Sequence, residues 1–299
     1  MVIPTHDRPA ALTSCLETLQ HQDLAASDLE VVVVDDGSEG DIASVVQRSA
    51  ATAPFGLRCE RQPLSGLNSA RNRGVAVTTG DVIAFLDDDT LVSPGWATAI
   101  LRAFEDHPCA GLGGLVELGL EAPEPPWMGE LRYYLAAYDL GGEARWLEDD
   151  PVPVGANCAV RRSEIERVGG FRTGLDRIGR SLVSNGDTEF FRRLRSAGGR
   201  LRYEPRAAVV HCVPPDRLTV EFFTRRHRAQ GVSDELLRHL EEGHPATLGH
   251  RVGLARETVR AARSLAADFL LRRDRIRSRF LVAYWSARLG ATRLPPPAA

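Results

Sequence analysis

Hydrophobic positions in the first hundred residues switch repeatedly between an unbroken and a helical period. Val2–Pro4 is a short apolar run that ends at Thr5-His6-Asp7-Arg8-Pro9. Leu12, Leu16 and Leu19 then recur at helical spacing, with Asp7 placed to cap that helix and Pro9 in its first turn. Leu29–Val34 is a nearly uninterrupted β-branched stretch, as a parallel strand buried on both faces requires. Arg58–Arg61 reads as a weaker strand, Asn68–Val77 as helix, and Val82–Leu86 as another buried strand. This alternation predicts a doubly wound α/β layer.

The middle of the chain is less regular. Gly111–Leu120 is rich in glycine, Ala122–Pro126 holds three prolines, and residues 127–150 mix aromatics and acids without a period. A short helix ends over Ile165–Gly170, and a second over Glu189–Ala197 closes at Gly198-Gly199. Val220–Leu240 and Arg251–Arg288 read as arginine-rich helices, and Leu294–Ala299 as a disordered tail.

Composition changes the picture in one respect. The 299 residues are 43% hydrophobic and 26% charged, which excludes wholesale disorder, collagen-like repeats and a disulfide-dense miniprotein. The net charge of −3 conceals a segregation. Residues 1–150 carry 9 arginines against 25 acids, and residues 151–299 carry 28 against 15. Lysine is absent, which genome composition explains most simply. An acidic half joined to an arginine-rich half suggests sites for a metal and for an anion. The five cysteines are dispersed and form no CxxC pair, so reduced, mostly buried thiols are expected. No leader-like segment, sequon or spanning apolar run is seen, which predicts a cytoplasmic protein.

The polar clusters fall at predicted strand ends, where open α/β sheets bind ligands. Pro4-Thr5-His6-Asp7-Arg8 follows the first strand, Asp35-Asp36-Gly37-Ser38 the second, and Asp87-Asp88-Asp89 follows Val82–Leu86. Three adjacent carboxylates raise one another's pKa unless a cation offsets them. A hard divalent ion does so and also binds phosphate oxygens. A solvated acidic turn is the competing reading. Asp35-Asp36 suits an ordinary turn as well, although a carboxylate there could accept a base N–H.

These stretches resemble glycosyltransferase family 2. The matching residues are Val2-Ile3-Pro4-Thr5 with Asp7-Arg8, Val33–Ser38, Gly66–Gly74, Gly80–Asp89, Gly155-Ala156-Asn157, Gly169-Gly170-Phe171, Gly186–Phe190, and Tyr203-Glu204-Pro205 through His211. Together they cover residues 2 to about 231. The resemblance implies a GT-A fold, a Rossmann-like, mostly parallel sheet flanked by helices, followed by a C-terminal helical extension. It implies a nucleotide-sugar-binding half over 1–110, an acceptor-side and catalytic half over 111–240, and an arginine-rich helical extension with a disordered tail over 241–299. Relatives commonly carry several residues before the first Val-Ile-Pro, so either the chain begins late or the sheet edge is trimmed.

The implied activity is an inverting, metal-dependent transfer of a sugar from a nucleotide-diphosphate sugar, with UDP favoured. The acceptor would be a glycan, lipid-linked or small-molecule hydroxyl. Pro4, Thr5, Asp7, Arg8, Asp35 or Asp36, Asn68 and Arg71 would hold the nucleotide. Asp87 would face the ribose, the donor sugar or the metal, with Asp88 in the variable middle position beside it. Asp89 and His211 would bind Mn²⁺ or Mg²⁺, the imidazole favouring Mn²⁺; a structural histidine is the alternative for His211. Asp187 and Glu189 are the candidates for the general base. Relatives usually have Glu-Asp where this chain has Gly186-Asp187, a departure that leaves both residues open; Asp187, which also suits a helix cap, is preferred. Arg225 and Arg226 would reach the diphosphate or lie on a solvated helix face. Gly155, Asn157 and Trp127 would meet the acceptor. Trp127, with Tyr133, Tyr134, Tyr138 and Trp146, would otherwise be packing.

Beyond residue 250 the resemblance fades. Arg251–Ala299 holds 11 arginines against 3 acids, and such helices either lie on an anionic membrane, such as the inner face of the plasma membrane, or pack on protein. No nucleic-acid module is recognisable. Two other functions stay open: a sugar nucleotidylyltransferase, although Pro4–Pro9 lacks the glycine-rich phosphate loop, and a degenerate nucleotide-sugar-binding subunit of a polysaccharide assembly complex.

Overall fold

The computed structural model describes residues 1–148, 151–271 and 273–295. The chain forms two compact units interleaved in sequence. One comprises Met1–Gly119, Arg132–Arg172 and Asp187–Val213; the other comprises Leu120–Leu131, Thr173–Gly186 and Pro214–Ala299. Residues 241–299 therefore group with 214–240 rather than standing alone.

The first unit is α/β. Strands β1 (Val2–Thr5), β2 (Glu30–Asp36), β3 (Gly56–Gln62) and β4 (Val82–Leu86) alternate with helices α1 (Pro9–Leu19), α2 (Ile42–Ala50) and α3 (Leu67–Val77). Then come β5 (Thr90–Val92), α4 (Trp96–Asp106), β6 (Gly111–Leu120), β7 (Arg145–Trp146), β8 (Asn157–Arg161), α5 (Arg162–Val168), α6 (Gly186–Ser196) and β9 (Leu201–Val213). The sheet order is β3-β2-β1-β4-β8-β6-β9-β5, with β7 also on β9. Strands β1 to β4 pair in parallel, and the later pairings of β8 with β4 and β6, and of β9 with β5 and β7, are antiparallel. The β1 strand lies between β2 and β4, so it is interior and not a trimmed edge. Val31–Val34 are fully buried, as their β-branched run requires of a strand covered on both faces.

Register sets the site. Thr5 pairs with Asp35, Leu86 with Asn157, and Thr90 with His211. Polar residues distant in sequence thus arrive at neighbouring strand ends.

Two local expectations change. Asp7 does not cap α1; Arg8 takes that position without a side-chain bond. Asp7 instead adopts φ 55° and joins two loops: its N–H donates to Ser38 Oγ at 2.9 Å, and its carboxylate accepts from Glu39 N at 2.7 Å. The continuous helix expected over Arg251–Arg288 is broken between α8 (Leu248–Leu270) and α9 (Ile276–Ala291). Asp274 accepts from Ile276 N at 3.0 Å there, and Arg275 takes the N-cap position of α9 without a side-chain bond.

The second unit is built on α7 (Val220–Glu242), α8 and α9. The α7 helix meets α9 closely because Gly231 lacks a Cβ, which would fall 2.3 Å from the Tyr284 carbonyl oxygen. Tyr284 donates to Asp234 at 2.6 Å, and Arg288 reaches Glu235. His227 stacks on Phe280 with centroids 4.6 Å apart. No helix among the described residues is long and apolar enough to cross a membrane. The five cysteines are free thiols. Most of the expected disordered tail, 296–299, lies outside the described residues.

Candidate active site

Asp87, Asp88 and Asp89 leave the end of β4 in three directions. Asp87 is partly exposed, and its Oδ1 lies 3.4 Å from Arg71 Nη2. Asp88 turns inward, accepting from Thr5 Oγ1 at 2.6 Å and from Arg8 Nη1 at 3.1 Å. Burial pushes its carboxyl up to about 6; Arg8 and the Thr5 bond oppose that rise, and the charges of Asp89 and Asp87 add to it. Asp88 is therefore set beneath the site rather than against a ligand. Asp89 lies between Arg8 Nη1 at 2.8 Å and His211 Nε2 at 3.1 Å.

A divalent cation is implied here by the resemblance, and the donor set can be tested against it. Among the described residues, no three His, Cys, Asp or Glu side chains converge into a ready-made cage. Asp89 and His211 are nevertheless adjacent and buried, with Asp87 two residues away, and His211 Nδ1 is buried without a hydrogen-bond partner. One or two carboxylates with an imidazole fit an ion that completes its shell from substrate phosphate oxygens. The residues present fit the group.

Asp187 is joined to Asp87 through two residues. Its Oδ2 accepts from Gly155 N at 2.7 Å, and its Oδ1 from Thr188 N at 2.8 Å. The carbonyl of Gly155 accepts from Arg71 Nη2 at 3.1 Å, and Arg71 faces Asp87. A Cβ on Gly155 would fall 2.3 Å from the Arg71 guanidinium, so any larger residue there would displace that group. The sequence placed Gly155 against an acceptor; the structure makes it the link between two carboxylates. Arg71 is buried beneath Asp87 and stacks over Phe171 at 5.3 Å, which suits it to fix Asp87 rather than reach a nucleotide.

Glu189 is a poor base. It is 4% exposed and held by Arg193 at 2.8 Å and Arg172 at 3.4 Å, so its charge is committed to two guanidiniums. Asn157 is likewise withdrawn from any acceptor. Fully buried, it accepts from Trp96 Nε1 at 2.8 Å and donates to the carbonyls of Ala207 at 2.8 Å and Leu115 at 3.0 Å. Asn157→Ala is expected to strand these three groups and to cost about 3 kcal/mol. Urea unfolding monitored by circular dichroism would show the lowered midpoint; an unchanged midpoint would contradict this role.

Other residues also turn from ligand to scaffold. Asn68, fully buried, donates to the Arg172 carbonyl at 2.6 Å. The carboxylate of Asp36 accepts from Gln62, Ser65 N and Gly66 N at 2.7–2.8 Å, organising the turn that opens α3. Asp35 accepts from Ser38 N at 2.9 Å and faces Arg61 at 3.3 Å. Pro4 is buried within β1. The motif Gly169-Gly170-Phe171 is explained by Asn72, whose amide exchanges two 2.8 Å bonds with the Phe171 backbone.

In the second unit, Trp127 packs edge-on against Phe223 at 4.9 Å and Phe280 at 5.6 Å, which gives it a packing role in place of acceptor stacking. Arg226 is buried and donates to the Leu182 carbonyl at 3.4 Å, while Arg225 is exposed on α7. In the first unit, Tyr138 is buried against Tyr203, Trp146 lies under Arg200 at 3.6 Å, and Tyr133, exposed, lies tilted against Tyr134.

Sequence comparison decides the family. Residues 1–169, more than half of the chain, match the family described as "Glycosyl transferase family 2". The chain belongs to glycosyltransferase family 2. The glycosyltransferase is 28% identical over 211 residues to the glucosyl-dolichyl phosphate glucuronosyltransferase of Haloferax volcanii, covering 70% of this chain and 67% of that one. It is 32% identical over 219 residues to the pre-mycofactocin glycosyltransferase of Mycobacterium tuberculosis, covering 71% of this chain but only 42% of that one. Among solved structures, a mannosyltransferase from Pyrobaculum calidifontis in complex with GDP-Man and Mn²⁺ superposes with a TM-score of 0.63 at 21% identity, covering 96% of this chain and 86% of that one. The last match establishes the GT-A fold of the glycosyltransferase.

Proposed function

We propose that this glycosyltransferase transfers a sugar, with inversion, from a nucleotide-diphosphate sugar to an acceptor hydroxyl. UDP is the favoured nucleotide, and the acceptor is a glycan, lipid-linked or small-molecule alcohol. The observation that carries the reading is the Asp87–Arg71–Gly155–Asp187 connection, which ties a donor-side carboxylate to a candidate base. Thr5, Asp7, Arg8 and the Asp35 loop would border the nucleotide, with Asp36, Asn68 and Arg71 supporting that edge.

Asp89 and His211, with Asp87, would hold Mn²⁺ or Mg²⁺, which when bound offsets charge on the diphosphate. Asp187 would accept the acceptor's hydroxyl proton as that oxygen bonds to the anomeric carbon. The bond from that carbon to the diphosphate oxygen breaks in the same displacement, and its electron pair leaves with the nucleotide. The Pyrobaculum complex with GDP-Man and Mn²⁺ supports the donor class and the cation. The name of the Haloferax relative supports a lipid-linked acceptor.

A panel of UDP-, GDP- and dTDP-sugars with Mn²⁺ tests the reading. One donor is expected to raise the thermal midpoint and to be slowly hydrolysed in a metal-dependent manner. No stabilisation and no hydrolysis with any donor would contradict it.

A further inference from the structure

Helix α8 is 23 residues long, yet only Leu254 and Ala261 in it are buried. Such a helix in a folded unit ordinarily buries a full apolar stripe. Here much of that stripe faces outward: Leu248, Val252 and Val259 are exposed, and the helix ends in Phe269, Leu270 and Leu271 at 60%, 78% and 60% exposure. Leu281 of α9 adds to the same hairpin at 47%. Between the two helices lies an apolar cleft of about 470 Å³ lined by Ala262, Leu265, Ala266, Phe269, Leu270 and Val282.

The charge around this surface has one sign. Residues 260–279 hold seven arginines against two acids. Both acids are engaged locally: Asp268 accepts from Ser278 Oγ, and Asp274 accepts from Ile276 N. Arg273, Arg275, Arg277 and Arg279 are exposed, and Arg275 lies over the Phe269 ring at 4.4 Å. An apolar tip ringed by arginines matches an interface with hydrocarbon below and phosphate at the level of the guanidiniums. A second copy of this chain would bring two cationic rings together, which disfavours self-association.

We infer that the α8–α9 hairpin docks on an anionic phospholipid surface, inserting Phe269-Leu270-Leu271 while the surrounding arginines bind lipid phosphates. The surface lies wholly within the second unit, and the inference does not depend on the sugar-transfer reading.

Sedimentation of the full chain with phosphatidylcholine vesicles, with and without phosphatidylglycerol, tests it without any donor present. Binding is expected only with phosphatidylglycerol and should weaken as salt is raised. Two variants, Phe269→Glu/Leu270→Glu/Leu271→Glu and Arg273→Ser/Arg275→Ser/Arg277→Ser, should each lose at least about tenfold in partitioning. Their circular-dichroism midpoints and basal donor hydrolysis should be unchanged. Three results would overturn the inference: no sedimentation with anionic vesicles, equal binding by the wild type and both variants, or a wild-type dimer in light scattering that the glutamate variant dissociates. None of these would bear on donor binding, so the two readings fail separately.

Discussion

Asp187→Asn is expected to lower sugar transfer by roughly 10²–10⁴-fold while leaving donor binding in place. The substitution preserves shape but removes the proton acceptor. It cannot preserve both existing bonds, because Oδ2 accepts from Gly155 N and Oδ1 from Thr188 N, and an amide offers only one accepting oxygen. Some loss of stability is therefore expected alongside the kinetic loss, and the two must be separated. A residue that only starts helix α6 would lower the thermal midpoint and change turnover in proportion to the folded fraction. Loss of a base would lower kcat at full folding and keep the donor affinity. Glu189→Gln is the contrasting case. Its two arginine partners make it a structural anion, so its effect should fall on unfolding midpoints before kcat.

Asp89→Ala is expected to remove metal-dependent donor binding, with a loss of about 100-fold or more in affinity for the nucleotide sugar. Asp89 is the one carboxylate of the three that meets both a cation, Arg8, and the imidazole of His211. Its removal also frees Arg8 to approach the diphosphate, so residual binding should persist and should no longer respond to EDTA. Asp88→Asn should behave differently. Asp88 is buried against Thr5 and Arg8, and an asparagine there disturbs packing more than it disturbs cation response. Calorimetric titration of the donor in Mn²⁺ and in EDTA distinguishes the two variants.

The sheet was legible because its central strands are buried on both faces and bounded by polar clusters. Val82–Leu86 is strand residue for residue, and the Asp87–Asp89 run follows it directly. Side-chain direction was not legible in the same way. A motif marks where the chain approaches a site, but not whether the side chain there faces ligand or core. Asn157, Asn68 and Asp36 all lie in family motifs, and all three spend their polar atoms on backbone or core groups. Trp96 was missed because its partner is 61 residues away, although Trp96, Ile100, Ala103 and Phe104 do recur at helical spacing. Glu189 stays open beside the preferred Asp187 in the sequence for a related reason. The pairing with Arg193, one turn on, is local, but nothing local reveals that Arg172, earlier in the chain, also reaches it. Between α8 and α9 the sequence offers a single aspartate among arginines, too weak a signal against continuous helical periodicity.

The central claim is that the strand-end carboxylates form a nucleotide-diphosphate site that needs a cation. Calorimetric titration of UDP, with GDP and dTDP in parallel, into the full chain in Mn²⁺ and again in EDTA tests it most directly. The account predicts saturable binding of one nucleotide in Mn²⁺ and at least a tenfold weaker affinity in EDTA. Equal affinity in both buffers, or no binding of any of the three in Mn²⁺, would contradict it.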